Sequence, residues 1–336
     1  MASDVAAAGN VRVRRLGVIA RADDGGLGQQ TREVCDRLDA DVALVVLLGA
    51  DARGVENFGR FEGRASFVNS GPRLEDDVLA TVLDKVDVLY TIEGPYAPDL
   101  FERCCAADVE LVIHANPELW RGWDAHRVFT PTDWLPVADA TVLPFPVDTD
   151  RLRPSPRAEK PTFVHVAGPA MLDRQGTQLL EGALAYVRNK CDVIMRVDGG
   201  GDRIGIGEAL VSYVPRTRHY WQVIPDGCWA LIQPRRYGGL SLPVQEAAAR
   251  GLPTICLDRR PENSFYAPIT VCCPALEPMT YPMAGGQIDV ADCDPRALAE
   301  TIDRFIEEGH DGGDPRSWAE AHSWDALLPS YESVLR

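Results

Sequence analysis

Residues 234–253 read PRRYGGLSLPVQEAAARGLP, a stretch that sets two glycines, a Leu-Pro pair and one carboxylate, Glu246, where a strand gives way to a helix. Ahead of it, Trp229 to Gln233 (WALIQ) is an apolar run of strand length. Behind Pro243, VQEAAARG carries helix formers closed by a glycine. Gly238 and Gly239 let the backbone pass close to a ligand, and the amides that open the helix present its positive dipole end to an anion such as a diphosphate. Glu246 falls one turn inside that helix, where a carboxylate accepts two hydrogen bonds from a ribose diol, as an acidic residue does in dinucleotide folds. The layout suits a bound nucleotide sugar. The plainer reading is a helix N-terminus with a solvated glutamate; the whole pattern, rather than the glycines alone, favours the ligand.

Outward from this stretch the chain alternates strands with helices. From Arg15 it reads strand (RLGVIA), glycine-rich loop (RADDGGLGQQ), helix (TREVCDRLDA), strand (DVALVVLLG), the opening of a doubly wound α/β unit. Strands are expected at Asp87–Ile92 and Glu110–His114, with a helix over Pro98–Ala107 between them, and short strands at Arg127–Thr130 and Ala140–Leu143. Residues 144–161 are rich in proline and charge with almost no apolar period, the composition of a linker. The rhythm then restarts with Thr162–Val166, the loop AGPAMLDRQG and a helix TQLLEGALAYVRNK, followed by strands at Asp192–Val197, Leu210–Val214 and Thr254–Leu257. This predicts an α/β protein with one Rossmann-like domain over 1–147, a linker over 148–161, a second Rossmann-like domain over 162–312 and a C-terminal helical segment over 313–336. That last segment is amphipathic, and Trp318, Trp324 and Tyr331 are expected to pack it back across the domain interface. Two such domains facing across a cleft bind ligands at the carboxyl ends of their strands.

Composition bounds the function. A chain of 336 residues, 46% hydrophobic and 25% charged, suits a globular protein of two domains. The apolar run over 42–50 is too short to span a bilayer, and the first residues lack the apolar core of a signal peptide, so a cytoplasmic protein is expected. A net charge of −16 argues against tight non-specific binding to nucleic acid. The small basic clusters Arg12–Arg14–Arg15, Arg216–Arg218–His219 and Arg235–Arg236 read as solvated or anion-binding. Nine cysteines, an odd number, include the adjacent pairs Cys104–Cys105 and Cys272–Cys273 but no CxxC, which reads as reduced, buried thiols. No DxD triplet ends a strand and no His or Asp cluster has metal-ligand spacing, so no metal is expected.

The second half resembles the donor domain of GT-B glycosyltransferases, most closely glycosyltransferase family 4. Pro234, Gly239, Leu242, Pro243, Glu246 and Ala247 match that family's Pro-Ser-x-x-Glu-Gly-Phe-Gly-Leu-Pro-x-x-Glu-Ala pattern without a gap, and Gly251-Leu252-Pro253 matches the Gly-x-Pro that follows. LPFPVDTDRLRP resembles the family's linker through Val147, Asp148 and Leu152, and DDGGLGQQT is similar to its glycine-rich acceptor-side loop. There are departures. The family's first glutamate, which holds donor-sugar hydroxyls, falls on Gly238; its arginine falls on Pro169 and its lysine on or beside Gln175, which leaves Arg174 as the side-chain cation of that segment. Arg235 and Arg236 are reserve cations for the leaving diphosphate. The variant RRYGGLSLPVQEA resembles divergent glycosyltransferases of phage-type genomes, some of which decorate DNA.

The resemblance implies transfer of a sugar from a UDP- or GDP-sugar co-substrate to an acceptor hydroxyl, with retention of configuration, no metal and no permanently bound cofactor. Expected catalytic residues are Arg174, Asp24 and Glu93. Gly26, Gly28, Arg174, Tyr213, Gly238, Gly239, Leu240 and Glu246 are expected on the donor, with Tyr213 covering the base. Asp23, Glu93, His114 and Glu118 are expected on the acceptor; an N-cap role for either aspartate and a core role for His114 are the plainer alternatives. The acceptor is open between a small molecule, a glycan, a protein and a hydroxymethylated DNA base. A catalytically silent nucleotide- or glycan-binding protein and a nucleotide-sugar epimerase are the rival readings.

Overall fold

The computed structural model describes residues 13–23, 25–47, 58–69, 73–116, 120–134, 137–167, 173–217, 219–260, 262–283 and 286–336. The chain divides into two compact units: residues 1–130, 137–143 and 328–336, and residues 131–136 and 144–327.

The first unit is built on a parallel sheet of seven strands: β1 (Leu16–Arg21), β2 (Val42–Val46), β3 (Ala65–Asn69), β4 (Val88–Ile92), β5 (Glu110–His114), β6 (Arg127–Thr130) and β7 (Thr141–Val142). Their order is β3-β2-β1-β4-β5-β6-β7, the doubly wound arrangement whose strand order reverses between β1 and β4. The central strands are continuous apolar runs because helices cover both faces. Ile19, Leu44, Leu89 and Ile113 are fully buried, and α1 (Gly26–Arg37), α2 (Asp76–Leu83) and α3 (Leu100–Ala106) carry the crossovers.

The second unit repeats the plan. Its sheet runs β10-β11-β9-β8-β12-β13-β14, from β8 (Thr162–Val166), β9 (Cys191–Val197), β10 (Arg203–Ile206), β11 (Ala209–Pro215), β12 (Ala230–Ile232), β13 (Thr254–Leu257) and β14 (Thr270–Cys273). All pairs are parallel except the β10–β11 hairpin, and order reverses between β8 and β12. Helix α4 (Thr177–Leu184) and α6 (Pro295–Glu308) pack Leu180, Leu298, Ile302 and Phe305 on one core. Helix α5 (Leu242–Ala249) buries Val244 and Ala247–Ala249 in a second core, with α7 (Pro315–Ala321) against it.

Several details differ from expectation. The helix expected over 177–190 stops at Leu184. Strand β3, the short β10 and the hairpin β15 (Met279–Met283)–β16 (Gly286–Val290) are half-exposed elements that apolar periodicity does not reveal. The proline-rich residues from Pro144 onward belong to the second unit: Val147 and Leu152 are buried there, and Val147 and Arg157 form bridges to Ser323 and Gly227. The final helix α8 (Trp324–Leu335) places Tyr331, fully buried, beside His114 in the first unit.

Candidate functional site

At the switch point of the second sheet, β8 and β12 end side by side, and the buried Gln233 ties their ends together. Its amide Nε2 donates to Val166 O at 3.1 Å and to Gln175 Oε1 at 2.6 Å, while its Oε1 accepts from Val166 N at 3.4 Å. His165 adds a second tie. A carbonyl only accepts, so Nδ1–H donates to Ile232 O (2.8 Å) and Nε2 accepts from the Thr177 hydroxyl (2.8 Å). Burial pushes the His165 pKa down to about 4, which keeps the ring neutral in this tautomer.

The two loops that leave these strands touch. A Cβ on Gly176, at φ +72°, would lie 2.2 Å from Pro234 O, so only glycine permits the approach. Arg236 N donates to Arg174 O at 2.9 Å, and the Arg174 guanidinium lies over the Tyr237 ring, 5.5 Å from its centroid. Arg174 is therefore brought next to the glycine loop. Gly238 has φ +97°, a conformation that L side chains rarely adopt, so the loop geometry itself excludes a glutamate at this position without strain.

Arg235 and Arg236 do not serve as spare cations. Buried Arg235 donates to three carbonyls of its own loop, Tyr237 O (3.0 Å), Gly239 O (2.9 Å) and Leu240 O (2.7 Å). Arg236 is engaged by Asp292 (2.9 Å) and Ala291 O (3.1 Å). Just beyond the end of β13, Arg259 adds a bond to Gly238 O at 2.9 Å. The helix opening also differs: the Ser241 amide donates to the Tyr266 hydroxyl (3.0 Å), and Pro243 has no N–H, so fewer amides face outward than the sequence implies. Glu246 is only 6% exposed, so it is not the solvated glutamate of the plainer reading.

Tyr213 is not brought to this loop. It lies in β11, its hydroxyl donates to Glu181 on α4 at 2.7 Å, and its ring packs on the sheet core. A hydroxyl committed to Glu181 and a ring committed to the core leave it no role over a base.

In the first unit, polar side chains gather where β1, β4 and β5 end. Asp23 accepts from Arg21 Nε (2.6 Å) and from Gly25 N (2.7 Å), so it braces the entry to α1. Gly26 opens that helix, and a Cβ on Gly28 would meet Asp23 O at 1.9 Å, so Gly28 is there for close packing. Glu93 has φ +75° and Tyr96 φ +59°, two strained non-glycine residues within one turn. Glu93 N donates to His114 O (3.0 Å), and its Oε1 accepts from Asn116 Nδ2 (3.1 Å). Burial pushes the Tyr96 phenol up to about 12, opposed by Arg21 and reinforced by Glu93 and Asp23. Asp23 and Glu93 both act electrostatically on the Tyr96 phenol, a residue that sequence reading missed for want of any motif around it. Asp24 and Glu118 lie outside the described residues.

His114 is removed from this group. It is fully buried, 2.7 Å from the Tyr90 hydroxyl through Nδ1 and packed against Phe129 and Tyr331, and burial pushes its pKa down to about 3. It is a core histidine.

No protein-family model and no curated protein matches this sequence. Solved structures do match its fold. HepE of Anabaena in complex with UDP and glucose superposes with TM-score 0.63 at 13% identity, covering 95% of this chain and 99% of that one. Sucrose-phosphate synthase of Thermosynechococcus elongatus gives 0.65 at 12%, covering 95% and 98%. MurG of Acinetobacter baumannii gives 0.56 at 12%, covering 96% and 99%. The chain has the α/β fold of GT-B glycosyltransferases, with two parallel-sheet Rossmann-like units. No helix among the described residues is long and apolar enough to cross a membrane.

Proposed function

We propose that the protein is a glycosyltransferase that takes its sugar from a nucleotide-sugar donor. One observation carries this reading: at the switch point of the second sheet, a glycine loop locked by Arg235 and Arg259 lies beside Arg174 and leads into a helix whose buried interior holds the carboxylate Glu246. A switch point is where open α/β sheets bind nucleotides. Glu246 binds the ribose hydroxyls, Gly239 and Leu240 line the diphosphate, and Arg174 supplies positive charge as the diphosphate departs. The fold shared with HepE, which is described in complex with UDP-glucose, favours a UDP-sugar over a GDP-sugar. The cluster of Asp23, Glu93 and Tyr96 receives the acceptor, and Glu93 orients its hydroxyl. Retention of configuration and independence of metal are the part of this reading that rests on the family resemblance, and a cytoplasmic location completes it.

The experiment is release of UDP from UDP-sugars, followed with and without a panel of acceptor alcohols. Release of UDP with the sugar recovered on an acceptor or on water supports transfer. Binding of UDP-sugars with neither release nor any change to the sugar would establish the silent protein instead, and a changed sugar still attached to UDP would establish an epimerase.

A further inference from the structure

Cysteines outside the proposed donor and acceptor sites hold a second arrangement with chemistry of its own. Cys256 in β13 and Cys272 in β14 are direct partners in the parallel register, and their sulfurs lie 3.9 Å apart. Neighbouring strands run about 4.8 Å apart, inside the Cα separation that a disulfide bridges. Closing the sulfurs to bonding distance, about 2.05 Å, needs rotamer adjustment rather than a new backbone. Asn263 Nδ2 is shared between both sulfurs, 3.5 Å from Cys256 Sγ and 3.8 Å from Cys272 Sγ, and also donates to Leu257 O; Thr270 Oγ1 lies 3.7 Å from Cys272 Sγ. Hydrogen bonding by the Cys256 thiol, aided by Thr270 and Asn263 against the opposing effect of burial, lowers the Cys272 pKa to about 6, while Cys256 is pushed up.

The two sulfurs differ in access. Cys256 is buried, 7% exposed, and borders a small cavity of about 30 Å³ that Gly239 and Arg235 also line. Cys272 is half-buried and borders a separate cleft of about 330 Å³, lined also by Val271, Arg304, Phe305, Glu308 and Asp311. This cleft runs along β14, the last strand of its sheet. An edge strand offers backbone groups to an extended ligand.

We infer that the Cys256–Cys272 pair is a thiol–disulfide exchange site, in which the half-buried Cys272 on the edge strand reacts with a low-molecular-weight disulfide of the glutathione class and Cys256 resolves the adduct. The Cys272 thiolate attacks one sulfur of the incoming disulfide, its S–S bond breaks, and one thiolate leaves with the electron pair. Cys256, having given up its proton to solvent, then attacks Cys272 Sγ and expels the second small thiolate. The two protein thiols are oxidised by two electrons, and one disulfide is reduced to two thiols. The resulting Cys256–Cys272 bond sits behind the Gly238–Gly239 loop, on the strand that leads to Arg259 and its bond to Gly238 O. The effect on nucleotide binding rests on the function proposed above; the exchange reaction does not.

The test treats the reduced full-length protein with glutathione disulfide, traps remaining thiols with an alkylating agent, and maps all nine cysteines by peptide mass spectrometry. The expected product is a Cys256–Cys272 disulfide that a dithiol reverses, with Cys105, the exposed thiol, holding at most an unresolved glutathione adduct. In Cys256→Ser the adduct is expected to remain on Cys272; in Cys272→Ser, Cys256 is expected to stay reduced. Should the variants fail to fold, the wild-type map decides alone. Alkylation of both Cys256 and Cys272 as free thiols in the wild-type protein, with glutathione on Cys105 only, would overturn the proposal. UDP affinity measured in the oxidised and reduced forms then reads the coupling separately: absence of nucleotide binding in both forms with the disulfide present refutes the donor site and leaves the exchange site standing.

Discussion

Replacing Arg235 separates two jobs that a buried arginine beside the proposed diphosphate site can do. In Arg235→Met the side chain no longer reaches the three carbonyls it holds at 3.0, 2.9 and 2.7 Å. A hydrogen bond to a charged group contributes about 1.5–3 kcal/mol. The three bonds share one guanidinium and do not add; removing one partner of a buried, charged network costs roughly 3–5 kcal/mol. For a unit of this size each kcal/mol lowers Tm by about 2–4 °C, so the transition of the second unit falls by roughly 10 °C. Arg235→Lys keeps the charge but lacks the fork that reaches several carbonyls at once, and it is expected to lose most of the same stability. Calorimetry of the ligand-free variants is the assay, because it resolves the unfolding of two units. An unchanged ligand-free transition combined with weakened UDP binding would refute the reasoning, since Arg235 would then act on the ligand and not on the loop.

Other perturbations reach other parts of the molecule. His114 and His165 have folded-state pKa values near 3 and 4, below the unfolded value of 6.5, so their contribution to stability is complete above that value and is lost as pH falls through it. At pH 5 each unit is expected to lose about 2 kcal/mol relative to pH 7.5, read as a lower urea midpoint; a midpoint that stays level between those pH values contradicts the neutral assignment. Gly28→Ala drives a methyl to 1.9 Å from Asp23 O and is expected to destabilise the first unit by at least about 1–3 kcal/mol, whereas an unaltered calorimetric profile would show that Gly28 serves a ligand only. Glu93→Gln is expected to slow transfer while leaving UDP affinity within about twofold; equal loss of both would move Glu93 to the donor.

Local and distant information divide cleanly in this chain. The stretch 234–253 was legible because glycine turn, proline-led helix and closing glycine all lie within it and a strand-length apolar run abuts it, and the observed β12, α5 and β13 follow that order. Arg174 was singled out only through the family resemblance, and it is the fold that sets it beside the glycine loop. The partners of Arg235 were not: a pair of arginines in sequence shows charge, and only the fold shows that the loop carbonyls turn back on the first of them. For His114 the plainer core role is the one observed, set in part by Tyr331, more than two hundred residues away, and Tyr213 was misplaced because its hydroxyl is taken by Glu181 on α4. Gly28 was read as an approach to ligand, when the space beside it is filled by the chain's own backbone at Asp23. The β15–β16 hairpin escaped because its residues are largely exposed and carry no apolar alternation.

Calorimetric titration of UDP into the wild-type protein and into Glu246→Ala tests the central claim most directly. A carboxylate that accepts from ribose hydroxyls contributes about 1.5–3 kcal/mol, so the account predicts saturable binding to the wild type and an affinity about 10- to 100-fold weaker in a folded variant. Equal affinity in the two proteins, or no binding of UDP to the wild type, would contradict it.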